Sequence, residues 1–157
     1  MTEKYEGLIA SNGVAIGNLY LFTRDKVVIS DIKIGENDTK EEFAKVKKAI
    51  DDYINDLAKL EGASEAQANI AKAHTELLSD PYFTDTIESK ITNELKNSEM
   101  ALDETIKEMV EIMSQIDDDY LRERASDYQD IGFQVMYKLK GITPKTLSNL
   151  DKGSIVI

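Results

Sequence analysis

The chain has 157 residues, 41% of them hydrophobic, which suits one folded domain, or one domain and part of another. A formal net charge of −11 argues against nucleic acid and against an anionic membrane surface as partners, because both would repel the chain. No apolar run approaches the ~20 residues of a membrane span, and the absence of cysteine, which excludes disulfides and thiolate chemistry, fits a reducing cytoplasm.

The acidic charge itself has two interpretations. It favours a basic partner, because complementary charge speeds and orients encounter. Many proteins, however, are acidic merely to stay soluble. On charge alone, solubility is the stronger interpretation.

The first thirty residues are predicted to form strands. The segment GVAIGNLYLF, residues 13–22, combines glycine with a β-rich apolar run, and KVVIS, residues 26–30, repeats the pattern. The character then changes to helical. Between residues 38 and 60 the apolar side chains recur at helical spacing, namely Phe43, Val46, Ile50, Tyr53, Ile54, Leu57 and Leu60.

Caps and breaks divide the helical part. Asn37 or Asp38 can cap the first helix. A second helix is predicted from Ser64, where Gln67 completes a capping box, to about Leu78.

Three more helices are predicted beyond this point. Pro81 suits the first turn of a third helix, which Asp80 caps and which runs to about residue 95. Ser98 is the predicted cap of a fourth helix. The fifth and longest is predicted to begin at Asp117 and to end at Gly141.

The last residues, GSIVI, are predicted to form a strand. This strand can pair with the strands near the amino terminus, which would join both ends of the chain in one small β unit. The favoured alternative is that the chain is a piece of something longer, cut inside a second domain.

The residues by themselves reveal no active site. His74 is the one histidine, too few for a di-iron or zinc site, and no phosphate-binding glycine motif follows a strand. A lone histidine on an amphipathic helix is more often packed than catalytic. What remains is an apolar cluster around Pro81, formed by Ile70, Leu77, Leu78 and Phe83. The residues leave open whether this cluster is core or an exposed patch for a partner.

Three segments carry a resemblance to a known family. In chain order they are GLIASNGVAIGNLYLF, IAKAHTELLSDPYF and DDDYLRERASDYQDIG. Together they resemble Enzyme I, the phosphoenolpyruvate–protein phosphotransferase of the bacterial sugar phosphotransferase system. The sequence departs from the family pattern at Asn12, where proline is usual, and at Gln129, where a basic residue is common.

The resemblance implies a mainly α fold, an antiparallel helical bundle inserted into an incomplete α/β subdomain. Residues 1–34 would supply the first strands of that subdomain, residues 35–141 the helical subdomain, and residues 142–157 the return into the truncated α/β part. The family's phosphohistidine lies in a Thr-Ser-His segment that this sequence lacks. The chain alone is therefore expected to be inactive and to hold no cofactor, although the resemblance implies Mg²⁺ for the full-length enzyme.

The partner implied by the resemblance is HPr, the small phosphocarrier that docks on the helical subdomain. The full-length protein would also form a homodimer through a C-terminal domain. Leu78 is assigned to the core, and Lys72 stands where an acid would suit HPr better. The residues expected to contact HPr are Glu65, Ile70, His74, Leu77, Asp80, Phe83, Ile106 and Arg124.

Two other functions remain open from the sequence. One is a helical scaffold or interaction module that assembles through the same apolar residues. The other is the Enzyme I-like segment of a phosphotransferase that serves dihydroxyacetone kinase or nitrogen regulation.

Overall fold

The computed structural model describes residues 13–23, 26–60, 62, 64–145, 147 and 150–157. The amino-terminal part of the motif that begins at Gly7 lies outside the described residues. The described chain contains five α-helices, a 3₁₀ turn at Glu36–Asp38 and two short strands. The helices are α1 (Thr39–Ala58), α2 (Glu65–Leu78), α3 (Pro81–Glu94), α4 (Ser98–Ser114) and α5 (Asp119–Lys140), and the strands are β1 (Asn18–Tyr20) and β2 (Ser154–Val156).

The helices share one hydrophobic core, to which each contributes an apolar face. This arrangement confirms the mainly α fold. The largest fully buried hydrophobic side chains are Val46 of α1, Phe83, Ile87 and Ile91 of α3, Leu102 of α4, and Tyr128, Ile131 and Val135 of α5. Helix α2 contributes Ala71 and Leu78, which confirms the assignment of Leu78 to the core.

Local sequence signals set the start of α2 and of α3. The Ser64 side chain accepts a hydrogen bond from the Gln67 amide, and the Gln67 side-chain oxygen accepts one from the Ser64 amide, as the capping box predicts. Asp80 caps α3 by accepting from the Tyr82 amide at 2.9 Å, and Pro81 occupies the first turn.

The caps at the start of α4 and of α5 each lie one residue from the predicted position. Asn97, not Ser98, is the cap of α4, and Asp118, not Asp117, is the cap of α5. Asn97 is the cap of α4 because its side chain also donates a hydrogen bond to the carbonyl of Ser30. Gly141 ends α5 with φ of 64°, a left-handed conformation that glycine adopts without strain.

The strand predicted for residues 26–30 is wrong. This segment forms no strand, and the backbone of Ser30 at its end binds side chains of α4 and its cap. The Ser30 amide donates to Glu99 Oε2 at 2.8 Å, and its carbonyl accepts from Asn97 Nδ2 at 2.7 Å. Val27 and Ile29 pack against the helical core, so their apolar character reflects helix contact rather than a sheet.

We expect Asn97→Ala to lower the free energy of unfolding by about 1–2 kcal/mol, since it removes both a helix cap and a partly buried hydrogen bond. The lost contacts are those to the Met100 amide at 2.9 Å and to the Ser30 carbonyl. Urea denaturation followed by circular dichroism measures the change. Asn93→Ala is the control, because Asn93 is exposed and its side chain contacts Ser89 on the same helix. Equal losses in the two variants would contradict the prediction.

The two strands pair in parallel, with Leu19 opposite Ile155. The pairing confirms the strand predicted at the carboxyl end and limits the predicted strand in residues 13–22 to three residues. Leu19 and Leu21 remain about two-thirds exposed. Parallel strands in folded domains are normally covered on both faces, so this pair has the character of part of a larger sheet.

The contacts divide the described residues into two compact units, one containing β1 and β2 and the other spanning Lys26–Thr143. The helical unit therefore begins before residue 35, because Val27, Ile29 and Ile34 belong with its core. The assignment of residues 1–34, 35–141 and 142–157 to parts of a larger protein stays a prediction.

Candidate functional site

The predicted contact residues of α2 and of its junction with α3 differ in exposure. Glu65 and Asp80 are exposed, Ile70 is 54% exposed, and Leu77 is half-buried. Residues seven apart lie on the same side of a helix, so Ile70 and Leu77 form one line along α2. Ala73 lies between them on the same flank. We call Ile70, Ala73 and Leu77 the α2 stripe.

Three of the predicted contact residues are core residues in this structure. His74 is 4% exposed, Phe83 0% and Ile106 9%. Phe83 packs against the ring of Tyr128 on α5 with 5.7 Å between ring centroids. Ile106 faces Gly132, where an added Cβ would lie 3.0 Å from Ile106 Cγ2. Neighbouring helices cover these three side chains, and their contact with a partner stays a prediction.

Arg124 connects α5 to the exposed side of α2. Its Nη2 donates to Tyr120 Oη at 2.8 Å, and its guanidinium lies 4.9 Å from the centre of the Tyr120 ring. Nη2 is 3.7 Å from Glu76 of α2, and Nη1 is 3.6 Å from Asp127 of α5. The hydrogen bond to Tyr120, opposed by burial and reinforced by the two acids, raises the pKa of Arg124. Arg124 thus places a fixed positive charge beside the α2 stripe.

This arrangement explains the order of charges in DDDYLRERASDYQDIG. Asp118 caps α5 by accepting from the Leu121 amide, and Asp119 pairs with Arg122 at 2.6 Å. Asp127 and Arg124 face α2. The glycine at the end of the motif, Gly132, lets α5 approach α4 closely.

His74 lies at the centre of a buried polar chain that joins three helices. Its Nδ1 is 2.8 Å from the Tyr53 hydroxyl of α1, and its Nε2 is 3.6 Å from Asp127 Oδ1 of α5. A carboxylate can only accept hydrogen bonds, so Nε2 carries the proton of the neutral ring and Tyr53 donates to Nδ1. This buried ring, with both nitrogens facing protein groups and an acid at Nε2, is poorly suited to accept a phosphoryl group.

Burial is the main cause of the pKa shifts of His74 and Tyr53. It lowers the pKa of His74 below its usual 6.5 despite the attraction of Asp127 and Asp130. Burial, together with the same two acids and Asp56, raises the pKa of Tyr53 to about 12. Both side chains are therefore neutral at pH 7, as their hydrogen bond requires.

Sequence reasoning did not assign Tyr53, Tyr120 or Asp127 to this site. The helical spacing predicts Tyr53 only as a core position of α1, and the motif gives the two residues of α5 no individual role. Glu76 and His74 are neighbours along α2, but nothing in their spacing predicts that the same acid, Asp127, contacts both Arg124 and His74. Such contacts depend on how the helices pack.

The helical unit that carries this surface is strongly acidic. Outside residues 26–143 the four basic and four acidic residues cancel, so the whole net charge of −11 lies within that segment. In the described residues, each helix is too short or too polar to cross a bilayer. Three or more His, Cys, Asp or Glu side chains suited to hold a metal ion do not come together anywhere in this described part of the chain.

Comparison with known proteins agrees with the fold. Residues 6–124 match the family described as PEP-utilising enzyme, N-terminal. The phosphoenolpyruvate-protein phosphotransferase of Latilactobacillus sakei is 32% identical over 160 residues, which cover 98% of this chain and 28% of that protein. The protein of the same name from Priestia megaterium is 29% identical, over 100% of this chain and again 28% of the relative. The chain thus spans less than a third of the length of these relatives.

Two solved structures are also similar. A solution structure of an Enzyme I protein is 34% identical, with a TM-score of 0.78, over 94% of this chain and 61% of that one. The N-terminal domain of a nitrogen Enzyme 1 has a TM-score of 0.65 at 20% identity, which shows a likeness of fold alone. The match of residues 6–124 shows that the chain belongs to the family of PEP-utilising enzymes, and its relatives place it with the N-terminal region of Enzyme I.

Proposed function

We propose that this chain is the docking part of a cytoplasmic phosphoenolpyruvate–protein phosphotransferase and that its α2 stripe receives the phosphocarrier HPr. The observation that carries the proposal is an apolar line on a helix surface, Ile70 to Leu77, in a strongly acidic unit of a protein of this family. An apolar centre with a charged rim is the usual composition of a protein–protein contact.

Each part of the surface has a role in this proposal. Ile70 and Leu77 supply the apolar contact that is removed from water on binding. Glu65 and Asp80, at the two ends of α2, face basic side chains of HPr and orient its approach. Arg124 faces an acceptor on the partner. His74, Phe83 and Ile106 act from the core by holding the helices in place.

We assign no phosphoryl transfer to this chain. Its one histidine is buried and bonded to Tyr53, which leaves no accessible imidazole to carry phosphate from phosphoenolpyruvate. The Mg²⁺ that the resemblance implies for the full-length enzyme stays an expectation, and we propose no role for it in this chain. Any homodimer of the full-length protein would depend on a domain that is not in this sequence.

We expect Leu77→Asp to weaken HPr binding by about tenfold or more, because it places a charge at the centre of an apolar contact. Isotope-labelled chain is titrated with bacterial HPr, and amide shifts give both the dissociation constant and the location of the contact. Ile70→Asp should act in the same way. Val28→Asp is the matched control, since Val28 is 80% exposed and lies outside α2.

Two outcomes would contradict the proposal. Shifts centred away from α2, or equal loss of affinity in the Val28 control, would remove the α2 stripe as the docking site. A well-folded chain that ignores HPr and associates with itself as concentration rises would instead support a helical scaffold. Sedimentation velocity at two or more concentrations distinguishes that case.

A further inference from the structure

Helix α2 has a narrow inward face. Of its fourteen residues, three are buried, namely Ala71, His74 and Leu78. His74 is the central member of this set and the one that hydrogen-bonds to another helix. His74 therefore joins Ala71 and Leu78 in holding α2 against the bundle, and it is the member of the three that can titrate.

The contacts of His74 fit the neutral ring. With the ring proton on Nε2, Tyr53 of α1 donates to Nδ1 across 2.8 Å, and Nε2 faces Asp127 of α5 at 3.6 Å. A second proton on Nδ1 would face the Tyr53 hydroxyl, which would then have to turn and accept. The charge would also lie on a side chain that is 4% exposed. Burying a charge without adequate hydrogen bonding is costly.

The charged groups around His74 act in opposite directions. On α5, Asp127 and Asp130 attract a proton to the ring, while Arg124 repels it. On α1, Tyr53 stays neutral because its pKa is raised to about 12. Burial outweighs the two acids, so the pKa of His74 in the folded chain lies below its usual 6.5. The contact is thus present above pH 6.5 and is lost as the pH falls toward the lower folded value.

We propose that the Tyr53–His74 hydrogen bond is an acid-sensitive latch on α2, which protonation of His74 opens. In the open state α2 loosens from α1 and α5, and the α2 stripe loses its fixed position. Tyr53 and Asp127 are positioning residues in this device, because they act through His74 rather than on a partner. The effect on HPr rests on the docking function proposed above, whereas the effect on α2 does not.

The first test is the titration of His74, whose imidazole signals are unambiguous because the chain has one histidine. Tyr53→Phe removes the hydrogen bond to the neutral ring and should raise the midpoint. Asp127→Asn removes the nearest acid and should lower it. We expect the two midpoints to differ by about one pH unit, with the wild type between them. Both substitutions retain the size of the side chain, so the bundle should keep its fold.

The second test follows α2 directly by amide hydrogen exchange between pH 8 and pH 5, corrected for the intrinsic effect of pH. Protection of α2 should fall with the titration of His74 in each variant, while protection of α4 serves as the internal reference. Removing the titrating group with His74→Gln should abolish the pH dependence of α2. This measurement requires no partner.

The third test is the affinity for HPr at pH 7.5 and pH 5.5. We expect about threefold weaker binding at the lower pH, with a midpoint that moves upward in Tyr53→Phe and downward in Asp127→Asn. If the pH dependence came from groups on HPr instead, its midpoint would be the same in the wild type and in both variants. If HPr binds at neither pH while α2 still loosens with His74, the docking function fails and the latch stands. If the exchange protection of α2 does not change when His74 titrates, or if His74 has the same midpoint in both variants, the latch is overturned.

Discussion

Phe83→Ala is expected to lower the free energy of unfolding by about 3–5 kcal/mol, the usual cost of removing a buried aromatic ring. Phe83 is 0% exposed and packs against Tyr128, so the substitution leaves a cavity between α3 and α5. The loss is a large share of the about 5–15 kcal/mol that stabilises a typical domain. Urea denaturation followed by circular dichroism measures it.

The neighbouring residue Tyr82 provides the control. It is 56% exposed, so Tyr82→Ala should change the free energy of unfolding by about 0.5 kcal/mol or less. Phe83→Leu, which fills part of the cavity, should fall between the two and remains measurable if the alanine variant does not fold. A Phe83→Ala chain of unchanged stability that binds HPr poorly would return Phe83 to the docking surface.

The helices could be predicted because their signals are local. The Ser64–Gln67 box and the Asp80–Pro81 pair involve groups a few residues apart, so their geometry follows from the sequence there. The caps of α4 and α5 each differ by one residue from the prediction, and Asn97 of α4 shows the reason for one of them. Its advantage over Ser98 comes from the Ser30 carbonyl, 67 residues away, which no local pattern contains.

The division between core and surface was predicted less well. Periodicity shows which face of a helix is apolar, but an apolar face can be covered by another helix or offered to a partner. Ile70 and Phe83 illustrate the difficulty, because both belong to the apolar cluster around Pro81, yet one is half exposed and the other is core. Phe83 is core because Tyr128 of α5 packs against it, a contact that depends on how α5 lies in the bundle.

The polar chain through His74 could not be predicted for a similar reason. Tyr53 and His74 are 21 residues apart, and Asp127 lies still farther along the chain. Each residue has an ordinary alternative role on its own helix. The segment 26–30 shows the same limit, since a short apolar run suits a strand and also a chain that lies along a helical core.

The last prediction concerns the glycine within α5. We expect Gly132→Val to lower the free energy of unfolding by about 3 kcal/mol, because its branched side chain has no room against buried Ile106. A Cβ at residue 132 would already be 3.0 Å from Ile106 Cγ2 and 3.1 Å from Cγ1. Gly132→Ala should cost less, since alanine favours the helix by about 1 kcal/mol. Gln129→Val, at an exposed position of α5, is the control for valine in this helix.

A double-mutant cycle tests whether the contact with Ile106 is the cause. Ile106→Ala alone should cost about 2–5 kcal/mol, because it opens a cavity between α4 and α5. In the double variant the valine can enter that cavity, so the combined loss should fall short of the sum by about 1–3 kcal/mol. Additive losses would mean that Gly132 is required for another reason. A coupled loss would show that Ile106 acts in the α4–α5 contact, where the structure places it, rather than on the surface of the bundle.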